Sequence, residues 1–191
     1  MPERLQAARR AAASLTLLLG LLAAVEPAAG QVAAQAPEGF VVANELLLDG
    51  SPERVYQAIT GEVASWWDGR HSWSGDAANF SMDPRAGGCF CERLPAGGSV
   101  EHMRVVFASP GHLLRLSGGL GPLQGMGVSG SMDFALAAAD RPDQTRLAFR
   151  YVVSGYPAGG LDGMAEPVDS VLSGQLQRLA AYLRTGSPES R

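Results

Sequence analysis

The sequence predicts an α+β domain: one strand, two short helices, an antiparallel run of five or six further strands and a long closing helix. Three observations predict it. Short alternating apolar segments separated by turn residues fill Asn79 to Ser154, the signature of half-buried antiparallel strands. From Leu161 to Leu183 apolar residues recur every three or four positions, the period of one helix face. Before both, Ser51-Pro52 leads into Val55, Ala58 and Ile59, which places an N-cap and a first-turn proline ahead of an apolar helical face.

The elements follow in order. Phe40 to Asp49 is mostly apolar and forms the first strand, closed by Gly50-Ser51-Pro52; a second helical piece covers Glu62 to Trp67, and Asp68 to Ala78 is a polar, glycine-containing loop. The strand segments are Asn79–Met82, Gly88–Leu94, Ser99–Ala108, Leu113–Gly118, Val128–Ala137 and Thr145–Ser154, with breaks at Asp83-Pro84, Pro95 to Gly98, Ser109 to Gly111 and Asp140 to Asp143. In the last strand Leu147, Phe149, Tyr151 and Val153 alternate with Arg146, Ala148 and Arg150, giving one core face and one wet face. Pro167 begins the long helix or kinks its first turn, and Gly186 with Pro188 ends it.

Ahead of the domain, Arg4, Arg9 and Arg10 precede the apolar run Ala11 to Val25, a basic region followed by a hydrophobic one. The run is about fifteen residues, short of the roughly 20 that a membrane span needs. Residues 1–30 are therefore expected to be a signal peptide cleaved between about 30 and 34, followed by a spacer over 31–38, the domain over 39–186 and a tail over 187–191. An exported protein, periplasmic or secreted, with no stable span after cleavage, is the expectation. The chain contains no lysine, and beyond residue 30 it carries 12 Arg against 17 acidic residues, a formal charge of −5. This acidic balance offers no electrostatic footprint for nucleic acid.

The order of elements resembles the START-like superfamily, the polyketide cyclase/dehydrase and lipid transport (SRPBCC) group, over residues 40–185. The residues that carry the resemblance are Ser51 to Tyr56, Ala64-Ser65-Trp66-Trp67, Asp83 to Gly88, Val105 to Pro110 and the closing helix. It implies the fold called the helix grip, a curved sheet wrapped around the long C-terminal helix with an apolar cavity between them. It implies no single activity, since members include carriers, cyclases, dehydratases, hormone receptors and co-chaperones.

Candidate chemistry concentrates in the hairpin Gly88 to Val106. A four-residue loop over Pro95 to Gly98 would pair Leu94 with Ser99, Cys91 with His102 and Cys89 with Arg104, leaving Phe90 opposite Met103 and Glu92 opposite Glu101. A bulge would reshuffle these pairs. Glu92, Glu101, His102 and Arg104 are the candidate acid–base and oxyanion-stabilising groups of an enzyme. Cys89 and Cys91, at i and i+2 of a strand, have Cα atoms nearly 7 Å apart in regular geometry; free thiols and a disulfide both stay open. Metal binding by these cysteines with His102 and His71 lacks the second cysteine pair of a zinc site, so no metal is assigned.

Trp66, Trp67 and Trp73 are placed around the cavity entrance implied by the fold, with Phe90, Met103, Phe149, Tyr151, Leu172 and Leu176 on its walls. The glycine-rich stretch Leu116 to Gly130 reads as a flap beside the mouth and matches no phosphate-binding pattern. No cofactor is expected. Three functions follow: a binder of an apolar small molecule or lipid-like ligand, a cyclase/dehydratase-type enzyme, and a protein-interaction module resembling Aha-type co-chaperones.

Overall fold

The computed structural model describes residues 31–189; the expected signal peptide lies outside them. Eight strands form one antiparallel sheet: β1 (Gln31–Ala36), β2 (Gly39–Asp49), β3 (Phe80–Met82), β4 (Cys89–Arg93), β5 (Ser99–Ser109), β6 (Leu113–Ser117), β7 (Ser129–Ala138) and β8 (Gln144–Ser154). Their spatial order is β1-β2-β8-β7-β6-β5-β4-β3. The expected six or seven strands become eight because Gln31–Ala36, expected as a spacer, pairs with β2. β3 to β8 is a plain meander, and β8 closes it by pairing with β2 from Gly39↔Ser154 to Asp49↔Gln144 without interruption.

Helices α1 (Pro52–Gly61) and α2 (Val63–Trp66) carry the chain from β2 across to β3 at the opposite edge of the sheet. Ser51 caps α1 by accepting the Arg54 N–H, and Pro52 occupies the first turn. The face Val55, Ala58 and Ile59 is buried. The last helix, α3 (Ala165–Thr185), contains Pro167 in its first turn, where the missing N–H has no intrahelical partner to lose. Gly186, at φ 76°, ends it in the left-handed conformation, its N–H bonded to the Tyr182 carbonyl.

α3 lies most extensively on β2. Its buried positions Leu172, Leu176 and Leu179 join the sheet residues Phe40, Val42, Phe134, Leu147, Phe149 and Tyr151 in one core. Each such side chain contributes roughly 1.5–3 kcal/mol on full burial. A polar pin fixes the register of helix on sheet: the buried Asn44 accepts from the Ser173 hydroxyl at 3.1 Å and donates to Asp169 at 3.4 Å. Among the described residues no helix is long and apolar enough to cross a membrane.

Candidate functional site

β5 departs from strict alternation twice. Its register against β4 runs Cys89↔Arg104 and Phe90↔Met103, then shifts to Cys91↔Glu101 and Glu92↔Val100. The extra residue is His102. A bulge of this kind turns two successive side chains to the same face, and His102 and Met103 are both buried. A second shift against β6, at Val106, leaves Val106 and Phe107 both exposed.

The first bulge overturns the expected pairs Cys91 with His102 and Glu92 with Glu101. It also re-sorts the candidate catalytic set, which the straight register divides into Glu92 with Glu101 and His102 with Arg104. Glu101 and Arg104 sit on the outer surface and pair with each other. Glu92 and His102 are only 1% and 3% exposed and meet inside, Nε2 to Oε2, at 2.9 Å. Cys89 and Cys91 are joined by a disulfide, with Cα atoms 5.4 Å apart where the register shifts, closer than a regular strand would hold them.

The loop after α2 is folded down onto this pair. Backbone N–H groups of Trp73 and Ser74 both donate to the Glu92 carboxylate. Upstream, the Asp68 N–H donates to Gln175 of α3 at 2.8 Å, and the Asp68 carboxylate takes a fork of hydrogen bonds from Arg70. Those bonds hold the Asp68 carboxyl down at about 2.

Burial opposes the charge on Glu92, but hydrogen bonds from Ser74, Trp73 and His102 outweigh it, so its carboxyl titrates below the ordinary carboxylate value. Burial also opposes a charged His102 and outweighs the pull of Glu92, so the imidazole titrates below the ordinary histidine value. At neutral pH the pair is thus a carboxylate and a neutral ring. A carboxylate only accepts, so Nε2 carries the proton and Nδ1 holds the lone pair. Among the described residues no group hydrogen-bonds to that buried Nδ1.

Both depressed values act in the same direction on stability. A group whose pKa is lower in the folded state binds its proton first in the unfolded chain, so acid favours unfolding. Stability should fall as pH drops below about 6.5, where His102 titrates when unfolded, and again below about 4.5 for Glu92. Urea midpoints measured from pH 8 to 5 should show the first decline, and His102→Gln should flatten it. His71 and His112 are exposed.

His102 lines a cavity of about 310 Å³. Its walls come from Trp67 and Trp73 beside the loop, Leu120, Pro122 and Leu123 of the β6–β7 segment, and Met164, Pro167, Val168, Val171 and Leu172 of α3 and its approach. Arg70, His71 and Ser72 complete the lining. The flap is tied down by buried Tyr151, whose hydroxyl accepts the Leu120 N–H at 2.9 Å and donates to the Gly118 carbonyl at 3.0 Å. Burial raises that phenol to about 12, so it stays a donor. Gln124 ties the flap to the bulge through the backbone carbonyls of Glu101 and His102.

Of the nine expected wall residues, Trp67, Trp73 and Leu172 line this cavity. Trp66 is buried with its indole N–H on the Ala58 carbonyl. Phe90, Met103, Phe149, Tyr151 and Leu176 form packed core instead. The space between sheet and helix is therefore largely filled by side chains, and the opening lies at the end nearest β5 and the flap. A broader groove of about 1000 Å³ along α3 is bordered by Glu45, Asp68, Arg146, Arg178 and Arg184, a charged rim that does not suit an apolar guest. Met164, Val168 and Val171 belong to the apolar helical stripe legible in the sequence, of which only Leu172 and Leu176 are expected on the wall; Pro167 lies outside that spacing.

No family model and no curated protein matches the sequence. Solved structures do. A conserved protein of unknown function from Enterococcus faecalis is 16% identical with a TM-score of 0.59, over 85% of this chain and 82% of that one. CalU16 from Micromonospora echinospora is 18% identical at 0.56, over 84% and 87%. Aha1 from Colwellia psychrerythraea, solved as a dimer in solution, is 20% identical at 0.52, over 76% and 97%. The chain has the helix-grip fold. At these identities the likeness carries the fold alone, so the helix-grip scaffold says where a site is built and the residues must say what it does.

Proposed function

We propose that this helix-grip domain binds a small, largely apolar molecule in the cavity beside His102, outside the cytoplasm. The cavity lining carries the reading: two tryptophans, the flap leucines and the first turns of α3 surround a space with His102 as its buried polar member. About 310 Å³ is at the lower end of ligand cavities. It fits a molecule of about two fused rings better than a two-chain lipid. The Cys89–Cys91 bond supports an exported setting, since disulfides persist in oxidising compartments. The enzyme reading is weakened because Glu101 and Arg104 face solvent, away from Glu92 and His102.

The test is occupancy. Protein from residue 31 onward, purified gently from an envelope fraction, should carry an apolar molecule seen by native mass spectrometry. Val168→Trp, which fills the cavity from α3, should lose it while keeping the wild-type circular dichroism spectrum. A folded Val168→Trp protein that retains the same occupant would place binding elsewhere and overturn the assignment.

A further inference from the structure

The disulfide Cys89–Cys91 and the bulge at His102 are two sides of one irregularity. β4 passes from Cys89 to Cys91 in two steps, while β5 opposite takes three, from Arg104 to Glu101. Residues at i and i+2 of a regular strand keep their Cα atoms roughly 6.6 Å apart; the sulfur bridge holds these at 5.4 Å. The short side is thus clamped covalently at the point where the long side carries its extra residue.

Alternation divides β4 between two environments. Cys89 and Cys91 are half-buried on the outer face, open to a reagent in solution, whereas Phe90 and Glu92 are buried on the inner one. Glu92 follows Cys91 directly and holds the loop at the cavity mouth through the Trp73 and Ser74 N–H groups. A change in the spacing of β4 on the outside is therefore carried within one residue to the carboxylate that ties the loop down. As a staple the bridge does little, because a crosslink over one intervening residue closes a very short loop and barely constrains the unfolded chain. Exposed disulfides are also the readily reduced ones.

We infer that Cys89–Cys91 is a redox site: an external dithiol reduces it in the folded protein and thereby releases the Trp73–Ser74 loop. A thiolate of the dithiol attacks Cys91 Sγ, the bond between the two Sγ atoms breaks, and Cys89 leaves as a thiolate. The positive end of the Glu101–Arg104 pair stands opposite Cys89 and its negative end opposite Cys91, so a thiolate is favoured at Cys89. The second thiol of the reagent then attacks its own sulfur in the mixed disulfide and expels Cys91. Two electrons pass to the cysteines, the two protons of the dithiol end on them, and the reagent leaves as a disulfide. β4 then relaxes towards regular spacing, the bulge loses its clamp, and Glu92 shifts against the loop amides.

Native-state amide hydrogen exchange with and without dithiothreitol tests the inference, with mass spectrometry reporting the thiols. Dithiothreitol should reduce the bridge while the circular dichroism spectrum is kept. Exchange at Trp73 and Ser74 should then quicken roughly tenfold or more, the equivalent of one lost hydrogen bond. Phe149 and Tyr151 in β8 should keep their rates, and reoxidation should restore the slow loop. Cys89→Ser/Cys91→Ser should show the fast loop with and without the reagent; should it not fold, the reversible change in the wild-type protein is the test by itself. Reduction only after unfolding in urea, reduction that leaves the Trp73 and Ser74 rates unchanged, or acceleration shared equally by β8 would each overturn the inference. No ligand takes part, so each of these results leaves the cavity-binding reading standing.

Discussion

Glu92→Ala is expected to lower folding stability by about 1–3 kcal/mol for each buried donor it leaves without an acceptor, the His102 Nε2–H first among them. Glu92 does more than face His102. It receives the N–H groups of Trp73 and Ser74, and so holds the loop that forms one side of the cavity mouth. Its removal should therefore show two signatures. Urea unfolding should give the global loss, and amide hydrogen exchange should show fast exchange at Trp73 and Ser74 under native conditions. The double variant Glu92→Leu/His102→Leu separates the effects. With both polar partners replaced by apolar groups of similar size, most of the global stability should return, but exchange at Trp73 and Ser74 should stay fast. If Glu92→Ala unfolds at the wild-type urea concentration, Glu92 and His102 do not form a buried junction that holds the loop.

The contrast between fold and site in what the sequence discloses has a physical basis. Strands β3 to β8 match the expected segments to within a residue or two, because each buries one face and so prints a period of two. α3 prints its own period, and Ser51 and Gly186 act locally through one hydrogen bond each. β1 prints nothing. All but one of its residues are exposed, and its pairing with β2 uses backbone groups that every sequence has.

The bulge at His102 is decided by what lies across the hairpin and beneath it, not by the residues beside it in the chain. A straight register therefore places Cys89↔Arg104 and Phe90↔Met103 correctly and misplaces every pair beyond them. The consequence for function is large: a straight hairpin puts Glu92 and Glu101 on one face and His102 and Arg104 on the other, whereas one extra residue brings Glu92 and His102 together inside and leaves Glu101 and Arg104 outside. The cavity is less legible still. It is bounded by parts of the chain from Trp67 to Leu172, and whether a core closes or leaves a void depends on the summed volumes of side chains from distant elements.

Trp67→Ala distinguishes a residue that supports the cavity from one that only lines it. Trp67 is 7% exposed and packs against Trp66, Phe80 and Phe90 at centroid distances of 5.7, 5.5 and 5.2 Å, with its indole N–H on the His71 carbonyl. Truncating such a side chain is expected to cost about 3–5 kcal/mol, from lost burial and from the space left behind. That space is continuous with the cavity, because Trp67 forms part of its wall. An apolar guest can therefore enter it and recover some of the lost contact, as ligand binding to the folded state alone stabilises by mass action. Thermal unfolding should show a markedly lower midpoint for Trp67→Ala without ligand, and a larger upward shift with saturating naphthalene than the wild-type protein shows. Trp73→Ala, at a residue 58% exposed, should instead leave the midpoint within a degree or two, by about the small amount usual for surface changes, and weaken naphthalene binding. The two tryptophans thus have opposite signatures if the cavity is the binding site: one governs stability and ligand size, the other affinity at the mouth. A Trp67→Ala protein that naphthalene stabilises no more than wild type would mean that the space around Trp67 collapses or is closed off from the cavity.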